Sequence, residues 1–169
     1  MSELTCGLPA VVRDDSVVLI LGTIPSRASI KMNEYYGNPG NQFWKLIFKV
    51  FGMEPNAEYE DRIAFLQEKR IALWDVLITC EREGSSDSNI QHPRANEFDD
   101  FLHHHKTITH IFFNGKRSEE LFNRLVTLDS GIESYIVKER LPSSSSANPT
   151  KFEQKLERWR RIVPDSKRM

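Results

Sequence analysis

A single acid, Asp75, interrupts the otherwise apolar run "ALWDVLI". A carboxylate withdrawn from water is costly unless it has a hydrogen-bonding partner, so it implies either a structural tie or a purpose. Other polar residues stand where apolar runs begin or end. Asn41 immediately precedes the helical pattern "QFWKLIFKVFG", and Asn is among the best helix N-caps. Asn114 closes "THIFFN" and is followed by Gly115, which lets the backbone approach a ligand closely. Tyr35 and Tyr36 stand side by side ahead of "GNPG", and "LPSSSSAN" places Ser143, Ser144, Ser145 and Ser146 in one turn-rich segment. Each also has a plain structural reading. Asp75 is tied to backbone N–H groups or to an arginine such as Arg82; Asn114 holds a turn; the tyrosines pack on a sheet edge with wet hydroxyls; the serine loop caps the last helix.

Several chemistries are disfavoured. The serines have no adjacent His or Asp to make an acyl nucleophile. "GTIPS" is followed by no GxxxxGK[ST] and is not a phosphate-binding Walker loop. The tract His103–His105 suggests a metal, but successive helical residues point about 100° apart, so solvated histidines are expected and no metal or cofactor. Cys6 and Cys80 form no CxxC pair. No apolar run approaches the ~18–20 residues of a membrane span, and the N-terminal residues lack a signal-peptide pattern. A cytoplasmic protein with no membrane partner is expected.

The elements that must position these residues follow from periodicity. "SVVLILGT" (16–23) reads as a buried parallel strand, and "IALWDVLI" (71–78), "THIFFNG" (109–115) and "ESYIVKER" (133–140) as three more. Helices are expected over the segment after Asn41 up to the stop at Gly52, from a capping Asn56 to about residue 70, over 97–105, 116–128 and 151–162. The segment between Gly22 and Asn41 reads as one long loop, and 79–96 as another. Strands alternating with helices over 169 residues predict one α/β domain with a mainly parallel sheet. Ligands in such folds bind outside the carboxyl ends of the strands. That rule selects Gly22–Ser29, Thr79–Ile90, Asn114–Gly115 and Leu141–Asn148.

The net charge of −1 hides an asymmetry. Residues 151–169 carry seven Lys and Arg against three acids, while the rest of the chain is acidic. Such an edge suits phosphates, or is simply a solvated helix face.

The motifs "LILGTIPS", "YYGNPGNQFW", "ALWDVLITCEREGSSDSNI", "FFNGKRSEELF" and "LPSSSSAN", in this order from about Val17 to Trp159, resemble the hypoxanthine-DNA glycosylase branch of the uracil-DNA glycosylase superfamily. The resemblance implies a three-layer α/β/α fold with a four-stranded parallel sheet of order 2-1-3-4. It also implies excision of a deaminated base from double-stranded DNA by a monomer without a cofactor. The chain departs from the pattern at Ser26 for Gly, at Asn38 and Gly40 for His and Arg, at Leu141 for His and at Ser146 for Pro.

Carried onto this chain, the resemblance gives Asn41 the role of orienting the attacking water through its carbonyl oxygen, a role that one oxygen cannot combine with capping. Better-known branches hold that water with an acid or amide in the first motif, where this chain has Ile24. Gly22, Thr23, Ile24 and Asn114 would line the base pocket. Tyr35 or Tyr36 would stack on the flipped base, and Asp75 would accept from the N1–H of hypoxanthine. Ser143–Ser146 would enter the minor groove and meet phosphates. Among the residues given these roles there is no lysine, although Lys31 lies in the first loop, so a lyase step, which needs an amine nucleophile, is not expected. Three rivals remain: a mismatch-specific uracil or thymine glycosylase, a DNA-binding module without catalysis, and a nucleotide-binding α/β protein unrelated to DNA.

Overall fold

The computed structural model describes residues 2–164. Asp165, Lys167 and Arg168 of the basic C-terminal segment lie outside the described residues. The central sheet is built from β2 (Val18–Gly22), β3 (Ile71–Asp75), β6 (His110–Asn114) and β7 (Val137–Leu141), all parallel and in the order β3-β2-β6-β7. This is the expected 2-1-3-4 sheet. The strand β2 is buried along its whole length, so its side chains supply both layers. Val18 and Ile20 enter a core with α2 (Phe43–Val50), α3 (Tyr59–Glu68) and α7 (Phe152–Trp159). Leu19 and Leu21 enter the opposite core with α4 (Phe98–His104), α5 (Lys116–Leu125) and α6 (Ser130–Glu133). The period-two alternation of a strand thus divides the helices between two faces.

A second sheet was not foreseen. The strands β1 (Glu3–Cys6), β4 (Leu77–Arg82) and β5 (Gln91–Ala95) form an antiparallel sheet of order β1-β4-β5. The run read as one strand over 71–78 therefore divides after Asp75. Val76 N–H donates to Gly22 O, and the Asn96 side chain donates to Asp75 O at 2.8 Å. The chain then leaves the parallel sheet as β4, and the expected loop 79–96 is a hairpin whose tip is 83–90.

Helix boundaries moved for identifiable reasons. The first long loop contains α1 (Arg27–Met32), capped by the Ser26 hydroxyl, which accepts from Ser29 N. Asn56 does not cap α3; that helix begins at Tyr59, and Asn56 offers only its backbone oxygen, to Arg62. The segment 133–140 starts with the end of α6 and becomes strand only at Val137. Phe43 and Trp44 are core residues, as their spacing required.

Candidate active site

The four parallel strands end together, and the segments beyond them enclose a cavity of about 590 Å³. Gly22, Thr23, Ile24, Tyr35, Tyr36, Asn41, Asp75, Asn114, Ser143, Ser144 and Ser145 all border it. Parallel registry explains the convergence: Gly22 pairs with Asp75, and Asn114 with Leu141, so the ends of β2, β3, β6 and β7 stand side by side.

One hydrogen-bonded chain crosses the cavity wall. Phe43 N–H donates to Asn41 Oδ1 at 2.9 Å, and Ser144 Oγ donates to the same oxygen at 2.8 Å. Asn114 Nδ2 donates to Ser144 Oγ at 2.8 Å and to Tyr36 OH at 3.0 Å, while Asn114 Oδ1 accepts from Ser144 N. Every direction is fixed by the backbone donors at its two ends. Asn41 therefore stands one residue before the N-cap Gln42 and turns its oxygen onto the first helical N–H of α2, and both lone pairs of that oxygen are engaged. A water held there would have to replace the Ser144 hydroxyl.

Ser144 is fully buried, with its N–H, C=O and hydroxyl all bonded within the protein. It holds the loop and is not free to meet a phosphate, contrary to the expectation for all four serines. Ser143 and Ser145 border the cavity, and Ser146 is exposed and does not line it. The same loop is fastened below by Lys155, which is 1% exposed and donates to Gln42 Oε1 and Ser145 O. Burial lowers its pKa. Gly115 lies against Ser143 and has φ +97°, so a side chain there would be strained and would crowd the loop.

The two tyrosines separate. Tyr36 adopts φ +55°, a left-handed turn that costs a non-glycine residue ~1–3 kcal/mol. Tyr35 is 4% exposed, within the core, and its hydroxyl donates to Pro9 O at 2.7 Å. Tyr36 stacks on Phe43, with centroids 4.0 Å apart, and keeps its hydroxyl in the cavity-wall network. Burial and the nearby Asp75 raise the Tyr36 pKa, so the phenol stays protonated.

Asp75 lies on the cavity floor at 4% exposure, and its Oδ2 has no hydrogen-bond partner among the described residues. Arg82, named as a possible tie, donates instead to Pro25 O at 2.7 Å. Burial first, and the charge of Asp87 second, push the Asp75 carboxyl up to about 7, against the lowering effect of Arg82. Asp75 therefore stays protonated at mildly acidic pH and in a large fraction of molecules near neutrality, and in that form it offers an O–H donor as well as an acceptor. Gly22 makes room for this arrangement: a Cβ there would lie 2.5 Å from Asp75 Oδ1 and 2.7 Å from Tyr36 OH.

Sequence reasoning did not single out Asp87, which borders the cavity from the β4–β5 hairpin. The available signal was an acid within a segment already selected as lying beyond a strand end. Among the described residues no lysine borders the cavity. The histidine tract lies at the other end of the sheet, where α4 leads into the start of β6. His103 does gather with Asp99 and Asp129, their ligating atoms within 4.8 Å of one another. However, His103 Nε2 is paired with Asp129 at 2.6 Å, and Asp129 Oδ1 caps Ile132.

Comparison with known proteins decides the family. Residues 9–163 match the model of the uracil DNA glycosylase superfamily. The chain belongs to that superfamily. Its relatives within it include two proteins named hypoxanthine DNA glycosylase. The one from Methanosarcina acetivorans is 36% identical, covering 92% of this chain and 96% of the relative. The one from Methanosarcina barkeri is 34% identical, covering 90% and 94%. The fold also matches the solution NMR structure of a Methanosarcina acetivorans protein assigned to the uracil DNA glycosylases. There the TM-score is 0.78 and the identity 34%, over 95% of this chain and 97% of the other.

Proposed function

We propose that the chain is a monofunctional DNA glycosylase that removes hypoxanthine from double-stranded DNA by hydrolysing the N-glycosidic bond of a flipped nucleotide. The observation that carries this reading is Asp75. A neutral carboxyl facing a cavity at the strand ends offers both an acceptor for the N1–H of hypoxanthine and a donor for its O6. The names of the two Methanosarcina relatives support the same base.

Within this reading, Gly22, Thr23, Ile24 and Asn114 wall the base pocket. Tyr36, backed by Phe43, supplies the stacking surface, worth ~1–3 kcal/mol for one base. Asn41 stands at the reacting end, where its oxygen anchors the wall and its Nδ2 remains for the substrate. Ser143, Ser145 and Ser146 present the minor-groove edge, with Ser144 as their anchor. A cavity bordered by no lysine supports hydrolysis without a lyase step. Both core layers close on one sheet within a single domain, which supports a monomer. The free thiols of Cys6 and Cys80 suit the reducing cytoplasm.

Labelled duplexes holding one hypoxanthine, xanthine, uracil or mismatched thymine test the reading, with abasic sites cleaved by alkali. Fastest release of hypoxanthine is expected. Uracil presents a similar C=O/N–H edge, so cleavage of uracil alone would move the substrate while keeping the reaction. Tight binding with no release from any duplex would leave only a DNA-binding module.

A further inference from the structure

A hydrolytic glycosylase gains rate from a group that orients the attacking water and accepts its proton. At the first-motif position Ile24 offers none, and the Asn41 oxygen is occupied by two donors. Among the described residues two acids border the cavity, Asp75 and Asp87. Asp75 is on the floor, where a base edge would lie. Asp87 comes from the hairpin tip and sits beside the Thr23 hydroxyl, one residue from Ile24.

We propose that Asp87 is a catalytic residue of this cavity: its carboxylate accepts the proton of the attacking water, filling from the β4–β5 hairpin the place that Ile24 leaves vacant. The inference rests on the glycosylase reading and extends it to a residue outside the strand-end motifs.

The hairpin tip is fixed well enough for such a task. Ser85 Oγ accepts from Arg27 N at 3.0 Å, joining the tip to the start of α1. Asn89 Nδ2 donates to Glu83 O at 3.0 Å, and Ile90 is buried in the core on the α4–α5 side. Asp87 opens a 3-10 turn over Asp87–Asn89 and is half-buried, between the floor and solvent. Four neighbours set its charge state. Burial raises its pKa above the ordinary carboxylate value, partly offset by the Thr23 hydroxyl, Arg82 and Arg117, which lower it. Its own negative charge helps keep Asp75 protonated and acts on Tyr36 as well. The two acids thus face different parts of the cavity, Asp75 the floor and Asp87 the hairpin side, and different environments are what let paired carboxyls take different roles.

The step balances. The water oxygen bonds to C1′ of the sugar as the C1′–N9 bond breaks, and that electron pair leaves with the purine. Asp87 takes one water proton, the purine anion takes up one from solvent, and Asp87 returns its proton to solvent afterwards.

The test is single-turnover release from a hypoxanthine duplex by the wild-type protein, Asp87→Asn, and Asp87→Ala with and without added formate. Asp87→Asn, nearly isosteric, is expected to slow release by ~100-fold or more with DNA affinity retained. Formate is expected to restore part of the Asp87→Ala rate. The acid limb of the wild-type pH–rate profile, shaped by Asp75, Tyr36, Arg82 and Arg117 around Asp87, is expected to flatten in Asp87→Asn. Release by Asp87→Asn at the wild-type rate overturns the inference. So does a slow variant whose loss follows weakened DNA binding and which formate does not rescue. A wild-type protein that releases no base from any duplex overturns the glycosylase reading itself, a different failure.

Discussion

Ser144 Oγ donates to Asn41 Oδ1 at 2.8 Å, joining two loops 103 residues apart in the chain. Through it, the wall carrying the N-terminus of α2 and the serine loop after β7 become one unit. Ser144→Ala removes a donor to Asn41 and an acceptor for Asn114 at a fully buried site. Leaving those groups unpaired is expected to cost ~1–3 kcal/mol, read from the denaturation midpoint. Base release is expected to fall further than the stability loss explains, because both amides lose their orientation.

Asp75 makes stability depend on pH. Its folded value of about 7 lies above the ordinary 3.8. Between those values the unfolded chain has released the proton and the folded protein retains it, so stability falls as pH rises from about 4 to about 7 and stays low above. The full effect is on the order of 4 kcal/mol. Asp75→Asn, which cannot ionise, is expected to lack this slope. Its melting temperature should gain on the wild type as pH rises from 5 to 8, and equal slopes would contradict a buried neutral acid.

Gly22 is a question of space. Gly22→Ala places a Cβ against Asp75 Oδ1 and Tyr36 OH. Crowding of this kind costs ~1–3 kcal/mol. Thermal melts are expected to show a folded protein of reduced stability, and single-turnover assays a much larger loss of base release.

The adjacent tyrosines should behave differently. Tyr36→Ala is expected to slow release ~10–100-fold by removing the stacking surface. Tyr35→Phe loses the hydrogen bonds to Pro9 and Leu8 and is expected to cost ~1 kcal/mol of stability with release unchanged. Equal effects on release would contradict the assignment of the stacking face to Tyr36.

The sequence made the central sheet legible because β2 is continuous and apolar, and because each strand end carries a break in hydrophobicity. The antiparallel sheet was hidden for the opposite reason. The strand β4 continues directly from β3 after Val76, with no turn residue between them, and β5 ("QHPRA") is exposed and has no apolar alternation. The site segments were legible as places, but not as geometry. Nothing in "YY" tells that Tyr35 is buried with its hydroxyl tied to Pro9 while Tyr36 takes a left-handed turn and joins the cavity-wall network. Nothing in "SSSS" distinguishes buried Ser144 from exposed Ser146. Asp87 lay in a chosen segment, but its approach to Thr23 depends on a hairpin that periodicity did not reveal.

The most direct measurement is single-turnover release of hypoxanthine from a duplex by the wild-type protein, Asn41→Ala and Asn41→Asp. Asn41→Asp keeps an oxygen for Phe43 N–H and Ser144 but loses the Nδ2 donor. The account predicts release by the wild type, a loss of ~100-fold or more in Asn41→Ala, and in Asn41→Asp a loss that separates the oxygen from the amine. Undiminished release by Asn41→Ala, or no release of hypoxanthine by the wild type, would contradict it.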